Sequence, residues 1–283
     1  MNKVNLNDAN DLANPFKIGM VAMQDDDGDM HMCLLSSLMN KGEDKMMFGE
    51  FVNGMSKELI YRHPEVGFFI MSVGKEFWTG AMTMTHSVTE GEDYVRYNDM
   101  QLFRYNTYCG VSVVHYADLN YISEKQPLNM PGVVANSVKV LAVKNFYAGD
   151  KNKQVLRPWA QKFLAELGNL MFIGYMGADG FPKVVPIIQG QSASSSRIVF
   201  SKAPYSSMLE DLKDGARVAV YGLSLDMAGV LVKGNYHQAT KGMGYVDIDK
   251  VYNPVPPKAG YIYPELKQTN TDFSQEPFAK TWI

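Results

Sequence analysis

Four aspartates occur within five positions of the segment QDDDGDMHM, residues 24–32. An EF-hand-like calcium loop needs oxygen ligands at alternate positions, glycine at the sixth position and a bidentate carboxylate at the twelfth. When the count starts at Asp25, the sixth position is Met30 and the twelfth is Ser36, so both requirements fail. An Asp-Gly pair beside apolar residues is instead typical of a β-hairpin turn. The segment therefore favours a solvated hairpin tip over a calcium site.

Other residues that could carry out chemistry do not form a recognisable catalytic or metal-binding pattern in the sequence. The histidines are scattered without the spacing of metal ligands: His31, His63, His86, His115 and His237. His31 and Cys33 could share one face of a strand, but two residues do not define a site. The sequence contains no P-loop, no GxGxxG motif after a strand and no GxSxG motif. We therefore nominate no catalytic residue and no metal site.

Composition and charge narrow the class of protein. The 283 residues are 46% hydrophobic and 20% charged, as in a soluble globular protein. The net charge of −3 gives no reason to expect nucleic acid or an anionic membrane as a partner. No apolar run approaches the roughly 18 residues of a membrane span, and the N-terminus lacks the apolar core of a signal peptide. With only Cys33 and Cys109, we expect a reduced, cytoplasmic protein, and a disulfide between them remains the alternative.

The elements that would position a site occur twice in the chain. A shift of 152 residues places residues 19–72 on residues 171–224 without a gap. Turns align with turns and apolar runs with apolar runs, and Asp27-Gly28 aligns with Asp179-Gly180. Each copy is predicted to contain a strand, an Asp-Gly turn, two more strands, a short helix and a buried strand. The repeat therefore indicates two similar domains.

The predicted domains are residues 1–147 and 157–283, joined by a polar linker at residues 148–156. The segment RPWAQKFLAELG, residues 157–168, is predicted to be the helix that opens the second domain. Later strands are expected in three segments, which are residues 107–116, 135–147 and 244–252. Closure into a barrel removes exposed edges from many short strands. We therefore expect a mainly β fold with short helices (α+β), arranged as two tandem barrels.

This order of elements resembles that of the FMN-binding split β-barrel superfamily, which includes pyridoxamine 5′-phosphate oxidase-like and flavin reductase-like proteins. The segment DGFPKVVPI, residues 179–187, is most similar to the oxidase-like branch. The segment FVNGMSKELIYRHPEVGFFI, residues 51–70, is similar to the part where the third strand turns into the phosphate-side helix. Family members usually form homodimers that hold FMN at the subunit interface. The resemblance therefore implies an intrachain pseudo-dimer with up to two FMN sites.

A phosphate site is expected between the third strand and the following helix, because helix N-termini attract anions. Small, hydroxyl and cationic residues occur there in both copies: Asn53, Gly54, Met55, Ser56 and Lys57, then Ser201, Lys202, Tyr205, Ser206 and Ser207. On the third strand, Met47, Phe48 and Gly49 could let the flavin ring approach backbone amides. On later strands, the aromatic residues Trp78 and Tyr236 could stack on the ring. Each of these residues also has an ordinary explanation, as a helix cap, a strand residue or a core aromatic. The first copy is preferred, because the second has no cation at the position of Lys57.

Two functions from different classes follow from the resemblance. The first is an FMN-dependent oxidoreductase that takes a hydride from NADH or NADPH and passes electrons to a small acceptor. The lack of an acid–base pair suits this function, because the cofactor carries the redox chemistry. The second is a non-catalytic module that binds flavin, haem or another planar ligand, or that transfers electrons. Neither function determines whether two chains associate further.

Overall fold

The computed structural model describes residues 3–51, 54–106, 110–150, 152–254 and 260–264. Within these ranges, sixteen strands form two antiparallel sheets of eight strands each. The strands of the first sheet are β1 (Lys17–Gln24), β2 (Met30–Leu34), β3 (Met39–Lys41), β4 (Lys45–Glu50), β5 (Glu65–Ser72), β6 (Glu76–Val88), β7 (Val113–Ile122) and β8 (Gln126–Pro127). Those of the second are β9 (Leu170–Met176), β10 (Pro182–Pro186), β11 (Gln191–Ser194), β12 (Arg197–Ser201), β13 (Arg217–Leu223), β14 (Gly229–Gln238), β15 (Met243–Asn253) and β16 (Gly260–Tyr263).

The two sheets repeat one strand order. The first runs β2-β1-β5-β6-β7-β4-β3 and the second runs β10-β9-β13-β14-β15-β12-β11. The pairing register repeats as well, since Met20 lies opposite Phe69 and, 152 residues later, Phe172 lies opposite Tyr221. The predicted duplication and the predicted mainly β fold of two tandem split barrels are confirmed.

Helices within the described ranges are few and short. They are α1 (Ala9–Ala13), α2 (Met55–Arg62), α3 (Glu92–Asp99), α4 (Gln101–Asn106), α5 (Met130–Val143) and α6 (Pro158–Phe163). The predicted helix of the first copy is α2, and the helix predicted to open the second copy is α6. The second copy has no counterpart of α2 in its described residues, because only 3-10 turns form at Ala203–Tyr205 and Ser207–Leu209. Serine side chains compete with helical backbone hydrogen bonds there, and Gly215 follows with φ of +79°.

One predicted strand is wrong. Residues 135–147, which were predicted to be a strand, form most of α5 and a 3-10 turn. Asn129 caps the helix, because its side-chain oxygen accepts a hydrogen bond from the Gly132 backbone N–H at 3.0 Å. Val133 and Val140, two helical turns apart, are both buried. The apolar spacing of this segment is therefore helical.

The largest hydrophobic cluster consists mainly of second-copy residues and extends across the boundary into the first copy. Residues of both sheets contribute to it, among them Met32 and Phe69 from the first copy and Phe172 from the second. The ring centroids of Phe69 and Phe172 are 5.1 Å apart. The backbones also meet closely, since a Cβ atom on Gly67 would lie 1.8 Å from the Pro182 carbonyl oxygen. The copies therefore pack through their sheets as an intrachain pseudo-dimer.

The acidic hairpin between β1 and β2 anchors this packing. The Asp25 carboxylate accepts a hydrogen bond from the Lys233 ammonium at 2.6 Å, and both side chains are buried. The Asp29 carboxylate pairs with Arg217 and, at 2.7 Å, with Lys250. The prediction of a solvated tip is therefore wrong for Asp25 and Asp29. Their partners belong to β13, β14 and β15, more than 180 residues away along the chain, so no local pattern could indicate them.

The polar connector at residues 148–156 ends inside the core. Val155 and Leu156 are buried, and the Leu156 backbone N–H donates to the Ser195 carbonyl at 2.7 Å. No helix within the described residues is long and apolar enough to cross a membrane.

Candidate functional site

A cavity of about 230 Å³ lies beside the first sheet at its boundary with the second copy. Strands β1, β2 and β4 and helix α2 supply most of its lining, and Tyr252 and Pro254 of the second copy close one side. Its apolar walls include Val21, Met23, Leu34, Leu35, Ile60, Val66 and Met82. The polar side chains of the cavity are grouped where β4 ends and α2 begins.

Most of the predicted first-copy residues line this cavity: Phe48, Gly49, Gly54, Met55, Ser56 and Lys57. Met47 lies elsewhere, because alternate residues of β4 face opposite sides and Met47 packs in a core cluster with Tyr97. Trp78 is buried away from the cavity, and its indole N–H donates to the Asp8 carboxylate at 3.0 Å. Asn53 lies outside the described residues.

Gly49 is required by packing within the first copy. A Cβ atom at this position would lie 2.7 Å from a methyl group of Val111 and 3.2 Å from the ring of Tyr97. The glycine therefore admits these two side chains, which gives it a structural reason independent of any ligand.

The polar end of the cavity is built around Glu50, the last residue of β4. One carboxylate oxygen lies 2.5 Å from the Lys57 ammonium, and the other lies 2.8 Å from Nε2 of His115. His115 is buried and stacks on Phe48 with ring centroids 4.9 Å apart. Burial alone would raise the pKa of Glu50, but the hydrogen bonds and charges of His115 and Lys57 outweigh it and hold that pKa below its ordinary value. The cavity therefore contains an ionised carboxylate beside its ammonium group.

His31 and Cys33 share one face of β2, as their spacing suggested, and both line the cavity. Nε2 of His31 lies 3.1 Å from the Ser56 hydroxyl, and the ring meets Tyr252 edge-on at 5.0 Å. Burial, assisted by the charge of Lys233, lowers the pKa of His31 to about 3, so the imidazole is neutral near pH 7. Burial raises the pKa of the Cys33 thiol, which keeps it protonated.

The equivalent place in the second copy is filled by its own core, since Val185 and Phe200, the counterparts of Cys33 and Phe48, are buried. The Ser201 hydroxyl is also buried and donates to the side-chain oxygen of Asn136 on α5 at 2.7 Å. This helix lies on the opposite face of β12, because its Val140 packs with Val199, the counterpart of Met47. Tyr205 is also buried, and its hydroxyl accepts a hydrogen bond from the Asn129 backbone N–H at 3.2 Å. Groups predicted to bind a cofactor there are therefore held by the protein itself.

The other predicted second-copy residues are dispersed. Ser206 and Ser207 are exposed on the 3-10 turns. Tyr236 is buried against Phe200, with ring centroids 5.9 Å apart, and the Lys202 ammonium lies 6.0 Å from the Tyr236 ring. A cavity of about 390 Å³ on the second copy has a different lining, which includes Trp159. The structure therefore does not assemble these residues around one space.

Several residues of the first-copy cavity had no signal in the sequence. Glu50 carries no motif, and its role depends on Lys57, seven positions later, turning back towards it on α2. Tyr252 and Pro254 come from the other copy, so only the pairing of the two sheets brings them to the site. The resemblance indicated a site at this boundary, but it did not indicate which second-copy residues would close it.

No protein-family model and no curated protein matches the sequence. Solved structures with similar folds include HupZ of Group A Streptococcus, which is 16% identical with a TM-score of 0.35 over 42% of this chain and 92% of HupZ. An FMN-binding protein from Syntrophomonas wolfei subsp. wolfei is 13% identical with a TM-score of 0.35, over 42% of this chain and 84% of that one. An F420 reductase is 16% identical with a TM-score of 0.34, over 42% and 98%. By the strand order of its own two sheets, the chain is a tandem pair of split β-barrels.

Proposed function

We propose that this protein binds one flavin in the first-copy cavity and acts as a flavin-dependent oxidoreductase. FMN is the flavin that the resemblance of the sequence implies. The observation that supports this proposal is the cavity itself, which lies at the boundary of the two copies, is apolar along its walls and is polar at one end. Cofactor sites commonly combine apolar walls with a few polar groups that fix the orientation of the ligand.

The residues present fit a flavin ring and its polar side chain. Apolar and polarizable groups such as Met23, Leu35 and Met82 suit the faces of a flat aromatic ring. The polar end supplies the Ser56 hydroxyl, the Lys57 ammonium and the first turn of α2, which has no side-chain cap. These groups are donors of the kind that a ribityl chain or a phosphate accepts.

When bound, a flavin supplies hydride and electron transfer. The side chains of the cavity would bind and orient it and exclude water, and Tyr252 of the second copy would hold it against the first sheet. The neutral imidazole of His31 would offer hydrogen bonding without adding charge. NADH or NADPH is the proposed donor and a small molecule the proposed acceptor, since hydride transfer to a flavin requires no acid–base residue of the protein.

A second candidate function is a non-catalytic module that binds a planar ligand such as haem. His31 favours it, because a neutral imidazole can ligate haem iron. The absorption spectrum of the purified protein separates the two candidates. An oxidised flavin absorbs at about 450 nm, whereas haem gives a much stronger band at shorter wavelength.

The test of the proposed activity is anaerobic addition of NADH or NADPH to the flavin-loaded protein. Bleaching of the flavin band is the expected result. A coloured protein that does not bleach would support a carrier instead. A colourless protein whose thermal midpoint is unchanged by excess FMN and riboflavin would overturn the flavin proposal, because a ligand that binds the native state must raise that midpoint.

A further inference from the structure

The polar end of the first-copy cavity contains charged groups of both signs. The Lys57 ammonium lies 2.5 Å from one oxygen of Glu50, and Nε2 of His115 lies 2.8 Å from the other. The side chains are only 15% exposed for Lys57, 13% for Glu50 and 1% for His115. Water therefore screens this group poorly, and each charge acts strongly on a ligand placed beside it.

A phosphate placed here would meet Glu50 as well as Lys57. Glu50 is ionised near neutral pH, because His115 and Lys57 hold its pKa below the ordinary value. A phosphate dianion that attracts the ammonium would also be repelled by this carboxylate, a few ångströms further on. Like charges in a poorly screened site oppose binding by amounts similar to those by which unlike charges favour it.

The uncharged donors near the phosphate end are also engaged. The Ser56 hydroxyl lies 3.1 Å from Nε2 of His31. The Tyr252 hydroxyl of the second copy is buried, which raises its pKa, and the backbone amide of Met55 partly offsets that rise. Lys233, whose charge acts on His31, is paired with Asp25 at 2.6 Å. A charged ligand would therefore have to break existing contacts, whereas hydroxyl groups can share them.

The charges at the matching positions of the second copy differ. Under the 152-residue shift, Glu50 corresponds to Lys202 and Lys57 corresponds to Leu209. The second copy thus has a cation and no carboxylate there, and its counterparts of Cys33 and Phe48 are buried in the core. The carboxylate belongs to the copy that has the cavity.

We infer that the polar end of this cavity accepts uncharged hydroxyl groups at least as readily as a phosphate, and that Glu50 sets this preference. The cavity then takes riboflavin, which ends in a hydroxyl, about as tightly as FMN. This inference rests on the proposed flavin site and specifies the class of flavin that the site selects.

The test compares riboflavin and FMN by equilibrium dialysis against the full chain. We expect dissociation constants within about threefold of each other and an FMN affinity that changes little with ionic strength, because the Glu50 carboxylate offsets the attraction of the Lys57 ammonium. Glu50→Gln keeps the size and the hydrogen-bond acceptor of the side chain but removes its charge. This variant should bind FMN at least about tenfold more tightly and riboflavin unchanged, since one charge-assisted contact is no longer opposed.

The matched control is the double variant Glu50→Gln with Lys57→Gln, which removes both charges and should return the ratio of the two affinities to its wild-type value. The inference is overturned if the wild type binds FMN at least about thirtyfold more tightly than riboflavin, or if Glu50→Gln leaves the ratio unchanged. Should Glu50→Gln fail to fold, the ratio of the two affinities in the wild type and its dependence on salt still test the inference.

If neither flavin binds the wild type, the proposed function fails and the inference fails with it. If both bind and FMN is strongly preferred, only the inference fails.

Discussion

The two copies have the same strand order and the same pairing register, yet they differ where the fourth strand of each ends. The first copy has a cavity there, lined by Cys33 and Phe48. In the second copy the counterparts of these residues, Val185 and Phe200, are buried in the core. The same frame therefore leaves a cavity in one copy and is filled by larger or more tightly packed side chains in the other.

The hairpins that connect the copies also differ, in the kind of contact that each makes with the other copy. Under the 152-residue shift Asp29 corresponds to Phe181, and the strand pairing makes Lys250 the counterpart of Tyr121. On one side of the pseudo-dimer, Asp29 and Lys250 form an ion pair at 2.7 Å. On the other side, the rings of Phe181 and Tyr121 meet edge-on with centroids 6.3 Å apart. Equivalent positions thus hold the copies together by charge on one side and by aromatic contact on the other.

The largest effect is expected from the buried ion pair of the first hairpin. Lys233→Met leaves the Asp25 carboxylate buried without its ammonium partner, so the free energy of unfolding should fall by about 3–5 kcal/mol. Urea denaturation followed by circular dichroism measures this change.

The matched control is Lys183→Met in the second hairpin, which removes the pair of Lys183 with Asp211 at 2.5 Å. Both of those side chains are partly open to water, so stability should change little. Equal losses from the two variants would show that the two hairpins do not differ as described.

The sequence predicted the repeated frame because period-two apolar runs and Asp-Gly turns are local signals. It predicted exposure correctly at Asp27, whose side chain is 80% exposed, and incorrectly at Asp29. Burial of Asp29 depends on Arg217 and Lys250, which only tertiary packing brings near. The same limit applies to the site. The first turn of α2 was predicted from its local residues, whereas the part that Tyr252 takes in the site depends on contacts across the pseudo-dimer.

The next largest effect is expected from filling the first-copy cavity. Cys33→Phe places a ring in the space proposed for the flavin, and flavin affinity should fall by at least about 100-fold, or roughly 2.7 kcal/mol. Isothermal titration with riboflavin and FMN measures the loss.

Val185→Phe is the corresponding change in the second copy, 152 residues later, where the side chain is already packed in the core. It should destabilise the fold by about 1–3 kcal/mol through overpacking and leave flavin affinity unchanged. Loss of binding in the second variant, with binding retained in the first, would assign the site to the wrong copy.

A smaller effect is expected from acid. The pKa of His31 is lowered from 6.5 to about 3 in the folded protein. As pH falls below 6.5, the unfolded chain therefore binds a proton that the folded protein does not, and stability is lost. Between about pH 7 and about pH 4.5, the wild type should lose on the order of 2 kcal/mol more than His31→Gln. Urea midpoints at a series of pH values test this, and equal losses in both proteins would contradict the buried, neutral imidazole.

The smallest effect is expected from loosening α5 on the second copy. Asn136→Ala removes the acceptor of the Ser201 hydroxyl and should lower the free energy of unfolding by about 1 kcal/mol. The number of flavins bound should not change, because Phe200 and Tyr205 are still buried in the core of the second copy. A second bound flavin in this variant would show that this one hydrogen bond keeps the second copy closed.

The number of flavins bound per chain at saturation tests the central claim most directly. Equilibrium dialysis of the wild type should give one riboflavin or FMN per chain, and Cys33→Phe should give none at the same concentrations. Two flavins per chain would contradict the closed second copy. Undiminished binding in Cys33→Phe would contradict the first-copy cavity as the site.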